Sequence, residues 1–223
     1  MIKPDLIIKT NRRSISIIIT KEGKVVVRAP KRISADYILN FIKEKEKWID
    51  KKLKLINNTN LKNSKYMNYE EFLFCGSSYK LLFIDKFKKI ELCNNNILCP
   101  TIQDRVQLIN KIKRWYMKTA SKILGERLEY FAKLMQVNYK NLTISNSKNR
   151  WGSCDKEGNI KLNFRVIMLP HRVIDYIIVH ELSHIIQFNH SKDFYKIIGS
   201  IIEDYKQQQK NLKEQGFVLT LFR

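Results

Sequence analysis

The chain has 223 residues, 44% of them hydrophobic and only 11 of them Gly or Pro (7 and 4), which supplies a core and excludes collagen-like, linker-like and disordered chains. Lys and Arg number 42 against 21 Asp and Glu, a formal net charge of +21. No apolar run approaches the ~18 residues of a membrane span, and the opening Met1-Ile2-Lys3-Pro4-Asp5 lacks a secretory h-region and cleavage site, so the expectation is a cytoplasmic protein with no membrane contact.

Residues 6 to 30 read as strands. Leu6-Ile7-Ile8, Ser14 to Ile19 and Val25-Val26-Val27 are β-branched runs, Glu22-Gly23 marks a hairpin turn, and Pro30 closes the section. Ser34 then caps one helix whose apolar positions Tyr37, Ile38, Phe41, Ile42, Trp48, Ile49 and Leu53 recur at helical spacing. Asn57 to Ser64 is a polar loop. A second β section comes next at Phe72–Gly76, Tyr79–Ile84, Ile90–Leu92 and Ile97–Leu98, with a turn at Asn94-Asn95-Asn96. From about Thr101 the period turns helical for roughly 35 residues. A last β section comprises Leu142–Ile144 and Ile160–Phe164, joined by Arg150 to Gly158. Two helices close the chain, about Pro170 to Phe188 and about Lys192 to Gln209, with Pro170 suited to a first turn.

The fold class this order implies is α+β. Residues 1–100 form an N-terminal β-rich region with a helix, and 101–223 a second domain in which a sheet precedes a helix and a second, following helix. The four cysteines, Cys75, Cys93, Cys99 and Cys154, form no C-x-x-C pair and are read as reduced.

Val179 to His190 carries the chemistry. His180-Glu181-Leu182-Ser183-His184 is an H-E-x-x-H pattern, with His190 six residues on. At ~100° per residue His184 lies about 40° and Glu181 about 100° from His180, while Ile174, Ile178, Val179, Leu182, Ile185 and Ile186 cover the opposite side as core. Two imidazoles converge on one point with a carboxylate beside them, as a catalytic zinc with an open position requires. By chance such a pattern should arise in well under ~1% of chains of this length. The remaining histidine, His171, projects to the far side. For a third ligand two residues compete. His190 stands at a corner between helices, after Asn189, which tolerates left-handed backbone, and before Ser191, which can cap the next helix. Glu203 lies on that next helix. A preformed corner and neutral imidazole chemistry favour His190.

Arg150-Trp151-Gly152-Ser153-Cys154, Ile160 to Arg165, Asp175 to His184, Asn189-His190-Ser191 and Phe194 together resemble the YgjP-like metallopeptidase family, which is related to the SprT-like proteases. The likeness extends to Gly23, Val25 to Pro30 and Lys47-Trp48-Ile49. Tyr195 stands where Trp is usual, and Ser183 where Ala is common. The resemblance implies a zincin-like core, with Zn2+ held by His180, His184 and His190 and with Glu181 as general base. It implies hydrolysis of protein or peptide substrates, in which Glu181 takes a proton from zinc-activated water and delivers it to the leaving amine. Tyr195, Tyr205 and Arg150 are candidate oxyanion donors, and the strand at Ile160–Phe164 is a candidate edge for pairing an extended peptide. Trp151 and Cys154 are read as structural.

The charge allows another reading: a basic, nucleic-acid-associated protein in non-specific contact with DNA, whose metal site is structural or serves a non-peptide hydrolysis. Lys, Ile and Asn are abundant together, however, as an AT-rich genome also produces. Glu181 separates the readings, because a structural site has no use for a carboxylate beside its ligands.

Overall fold

A computed structural model describes residues 2–20, 23–58 and 66–222. The Glu22 half of the expected first turn and positions 59–64 of the expected polar loop lie outside them. The chain groups into two compact units, Met1–Ser64 and Lys65–Arg223. No helix among the described residues is long and apolar enough to cross a membrane.

In the first unit, β1 (Leu6–Thr10), β2 (Ser16–Ile19) and β3 (Val25–Pro30) form a sheet in the order β1-β3-β2. The central strand β3 runs parallel to β1 and antiparallel to β2. Its Val25, Val27 and Ala29 pack with Ile38, Ile42 and Ile49 into a small core. The helical region is two helices rather than the expected one, α1 (Ala35–Glu44) and α2 (Glu46–Asn58). Ser34 caps α1 by accepting a hydrogen bond from the Tyr37 amide at 3.2 Å. The break falls at Lys45, whose amide is shared between the Phe41 and Ile42 carbonyls, a tightened last turn that neither Pro nor Gly signals.

The second unit begins with β4 (Glu71–Phe74), β5 (Ser77–Phe83), β6 (Glu91–Cys93) and β7 (Asn96–Cys99), ordered β4-β5-β7-β6. Asn94 and Asn95 both take positive φ (44° and 59°), giving the two-residue hairpin that Asn favours. Then comes α3 (Arg105–Leu134), capped by the Asp104 carboxylate accepting from the Gln107 amide at 2.8 Å. Its Leu108, Ile112, Tyr116, Ala120, Leu124 and Leu128 recur every fourth residue and are buried. Fully burying such an aliphatic side chain contributes roughly 1.5–3 kcal/mol.

This grouping sets the division at 64/65, whereas the sequence reading set it near residue 100. The β4–β7 sheet is bonded to the helices and loops C-terminal to it. The Tyr116 hydroxyl on α3 donates to the Leu73 carbonyl (2.8 Å), and the β4–β5 turn docks on the segment ahead of the last helices, with the Cys75 amide donating to the Ile167 carbonyl at 2.6 Å. Gly76 in that turn has φ +80° and lies so close to Pro170 that a Cβ would stand 2.7 Å from the Pro170 Cα.

A second sheet holds β8 (Asn141–Ser145), β9 (Gly152–Cys154) and β10 (Asn159–Asn163) in the order β8-β10-β9. Strand β9 lies within the stretch read from sequence as a connection. A short 3₁₀ segment (Phe164–Met168) leads to α4 (His171–Ile186), α5 (Lys192–Ile201) and α6 (Tyr205–Glu214). The last expected helix is therefore also two, interrupted at Ile202–Asp204. Pro170 serves as the N-cap of α4 instead of lying inside its first turn. The fold is α+β, as the element order implies.

Candidate metal centre

Helix α4 is buried from Val173 to Val179. The core face is shorter than periodicity implies: Ile186 at the helix end is 50% exposed. His180 and His184, one turn apart, share a face, with ring centroids 5.0 Å apart. The chain then turns, and His190 comes back to them. Its Nε2 lies 3.2 Å from that of His180, its ring centroid is 4.8 Å from His184, and the three possible ligand atoms all fall within 4.8 Å of one another. Tetrahedral zinc with Zn–N of ~2.0–2.1 Å separates its nitrogens by about 3.3–3.4 Å. The His180–His190 pair stands close to this spacing, and the His184 ligand atom lies within 4.8 Å of both. Among the described residues no other group of His, Cys, Asp and Glu side chains meets the geometry for holding a metal.

The corner that returns His190 is stitched by side chains. The Asn189 carbonyl oxygen Oδ1 accepts from the Ser191 amide (3.2 Å) and from Gln187 Nε2 (3.0 Å). Asn189 is not among the residues with positive φ, so the expectation of left-handed backbone there is overturned: the side chain makes the turn by bonding the amide two residues on. Ser191 caps α5, accepting from the Phe194 amide at 3.4 Å. Phe194, fully buried, lies against all three imidazoles with centroid distances of 5.0, 4.7 and 4.8 Å. It is an apolar floor under the cluster, a role that the one-dimensional pattern does not reveal.

Burial and the neighbouring imidazoles push His180 down to about 4, and burial followed by His190 lowers His184. Both rings are thereby held neutral at physiological pH, the form that ligates a metal. His180 Nδ1 is buried without a hydrogen-bond partner among the described residues.

Glu181 points away from solvent, 6% exposed, and burial raises its carboxyl to about 8. It packs on β9. A Cβ on Gly152 would stand 2.6 Å from Glu181 Oε1 and 2.8 Å from its Cδ, so only glycine leaves the carboxylate its place. Asn163 in turn holds the chain entering β9: its amide group Nδ2 donates to the carbonyls of Ser147 (2.7 Å) and Arg150 (2.9 Å), and its backbone amide donates to the Trp151 carbonyl (2.7 Å). The half-buried Cys154 thiol nearby is pushed up to about 11 by burial and then by Glu181. A thiol so placed is un-ionised at neutral pH.

Other singled-out residues divide. Tyr195 stacks on His190 at 6.4 Å and on Tyr205 at 5.8 Å, so the two tyrosines form one wall. Arg150 is exposed in the loop before β9. Glu203 is exposed in the break between α5 and α6, and His171 is exposed at the start of α4. Strand β10, expected to offer a free edge, is flanked on both sides by β8 and β9, and so cannot accept a further strand. The free edge of this sheet beside α4 is that of β9. Asp175, buried on α4, receives two hydrogen bonds from Arg127 on α3 (2.6 and 2.8 Å), clamping α4 to the long helix. Tyr176, 5.9 Å from His180, is raised to about 12, chiefly by burial.

A buried helix presenting convergent imidazoles within an α+β fold defines a candidate metal-binding scaffold. The model of the YgjP-like family, described as a metallopeptidase domain, matches residues 13–215, and the chain belongs to that family. Among solved structures it is similar to the crystal structure of the metallopeptidase zymogen abylysin of Pyrococcus abyssi, at 21% identity and a TM-score of 0.39, over 42% of this chain and 94% of that one. None of the curated proteins matches it.

Proposed function

We propose that the chain is a zinc-dependent peptidase in which His180, His184 and His190 hold the metal and Glu181 is the general base. The observation that carries this reading is the three-imidazole cluster with a buried carboxyl on the next residue of the same helix. When bound, zinc would supply a Lewis acid that polarises a peptide carbonyl and acidifies water.

The chain's own residues would do the rest. Glu181 takes the proton of the attacking water and returns it to the amine that leaves. Gly152 keeps the carboxylate in reach. The free edge of β9 offers main-chain pairing to an extended peptide. Of the three expected oxyanion donors, Tyr195 is the one in ring contact with a ligand, through His190, and is the one we assign. The four unpaired cysteines fit a reducing compartment such as the cytoplasm. A structural-metal protein would leave both Glu181 and the glycine that accommodates it without a purpose.

The test is an unbiased peptide mixture incubated with the zinc-loaded chain and with Glu181→Gln. Cleavage by the first and none by the second is expected. A zinc-loaded wild type that cleaves nothing would overturn the assignment.

A further inference from the structure

Away from the imidazole cluster, the second unit has an open cleft of about 520 Å³ between the β5–β6 loop and α3. The loop contributes Lys88 and Lys89; the helix contributes Lys111, Arg114, Lys118 and Lys122. No acidic side chain among the described residues lines it. Trp115 lines it too, half-buried, with part of its ring against Phe74 (5.8 Å) and Tyr116 (4.8 Å). Lys111 Nζ donates to the Lys88 carbonyl at 3.2 Å, tying the loop to the helix and fixing the two walls together.

An ordinary solvated helix face mixes its charges. This one does not: from Arg105 to Gly125 α3 has no Asp or Glu at all, and its acids begin at Glu126. Arg114, Lys118 and Lys122 succeed one another at four-residue spacing, where like charges repel. The chain thus holds six cations on one concave surface at a cost to itself, which a polyanion lining the cleft would offset.

We infer that this cleft binds single-stranded nucleic acid, its phosphates running along Lys88, Lys89 and the cationic stripe of α3 while a base stacks on Trp115. The stripe from Lys111 to Lys122 spans about 16 Å of helix at ~1.5 Å per residue, room for a few nucleotides. An aromatic face in a basic groove serves unpaired bases, which a duplex keeps stacked inside. An acidic protein or inorganic polyphosphate would use the charge and leave the indole idle. This site is independent of the proposed peptidase chemistry, and its test reads binding alone.

The probe is a fluorescein-labelled 15-mer of deoxythymidine, titrated with the full-length, zinc-loaded chain by anisotropy between 50 and 200 mM salt (conditions chosen on the scale at which phosphate contacts respond). With four to six phosphates neutralised, log K should fall against log salt with a slope of about −3 to −4. Arg114→Glu/Lys118→Glu, both at exposed positions, should weaken binding at least 10-fold and flatten the slope by more than one. Trp115→Leu should weaken it roughly 5–100-fold with the slope unchanged. Zinc content and far-UV circular dichroism should match wild type in the double variant, which keeps the test intact if Trp115→Leu misfolds. Wild-type affinity in the double variant, or in a folded Trp115→Leu, would overturn the proposal. So would a 15-base-pair duplex, polyglutamate or polyphosphate that binds as tightly as the single strand.

Discussion

Helices α3 and α4 pack on each other through Arg127 and Asp175 but use polar residues in opposite ways. The 30-residue α3 buries one stripe and turns a charged face outward, so most of its polar side chains lie in water. The 16-residue α4 buries ten of its residues, Asp175, Glu181 and Ser183 among them, so each polar group on it needs a reason. Ser183 bonds back to the Val179 carbonyl at 2.7 Å, Asp175 meets Arg127, and His180 meets two other imidazoles. A polar residue in a buried helix is therefore informative in a way that the same residue on an amphipathic helix is not. Desolvating it costs free energy that only a partner or a function offsets.

Substitutions break or sharpen that contrast. The largest effect is expected at Glu181. Glu181→Gln should retain zinc by elemental analysis while peptide turnover falls by about 10²–10⁴-fold, the usual contribution of a positioned base. Next is His190→Ala, which should weaken zinc by at least 10–100-fold in a chelator competition, whereas Glu203→Gln, exposed between α5 and α6, should leave affinity unchanged. The reverse pattern would transfer the third ligand to the glutamate. A smaller loss is expected from Gly152→Ala. The new Cβ, 2.6 Å from Oε1, displaces a side-chain end and not backbone, so the protein should fold, bind zinc and lose roughly 10-fold in kcat. The smallest is Asp175→Asn. Arg127 is 42% exposed and water screens the pair, so a stability loss of about 1 kcal/mol, or roughly 2–4 °C in Tm, is expected by thermal melting.

Legibility from sequence divides along the same line. The convergence of His180 and His184 is legible because helical spacing alone brings two imidazoles to one face. His190 was reachable through the polar corner around it, although by the wrong device: Asn189 turns the chain with its side chain and not by left-handed backbone. Local periodicity found strands β4 to β7 and α3. It missed the breaks at Lys45 and at Ile202–Asp204, where neither Gly nor Pro interrupts the pattern. Nor did it find β9, three residues long and defined only by pairing with β10. The Phe194 floor and the Gly152 notch were illegible for a related reason. Each depends on a contact between segments that sequence spacing does not relate.

Metal binding by the imidazole cluster as a unit underlies every step of the proposed chemistry. The most direct measurement is elemental analysis of the wild-type chain, loaded with zinc and dialysed, beside His180→Ala/His184→Ala treated identically. About one zinc per wild-type chain and none in the double variant is expected. A wild type that remains metal-free, or a double variant that holds its full equivalent, would contradict it.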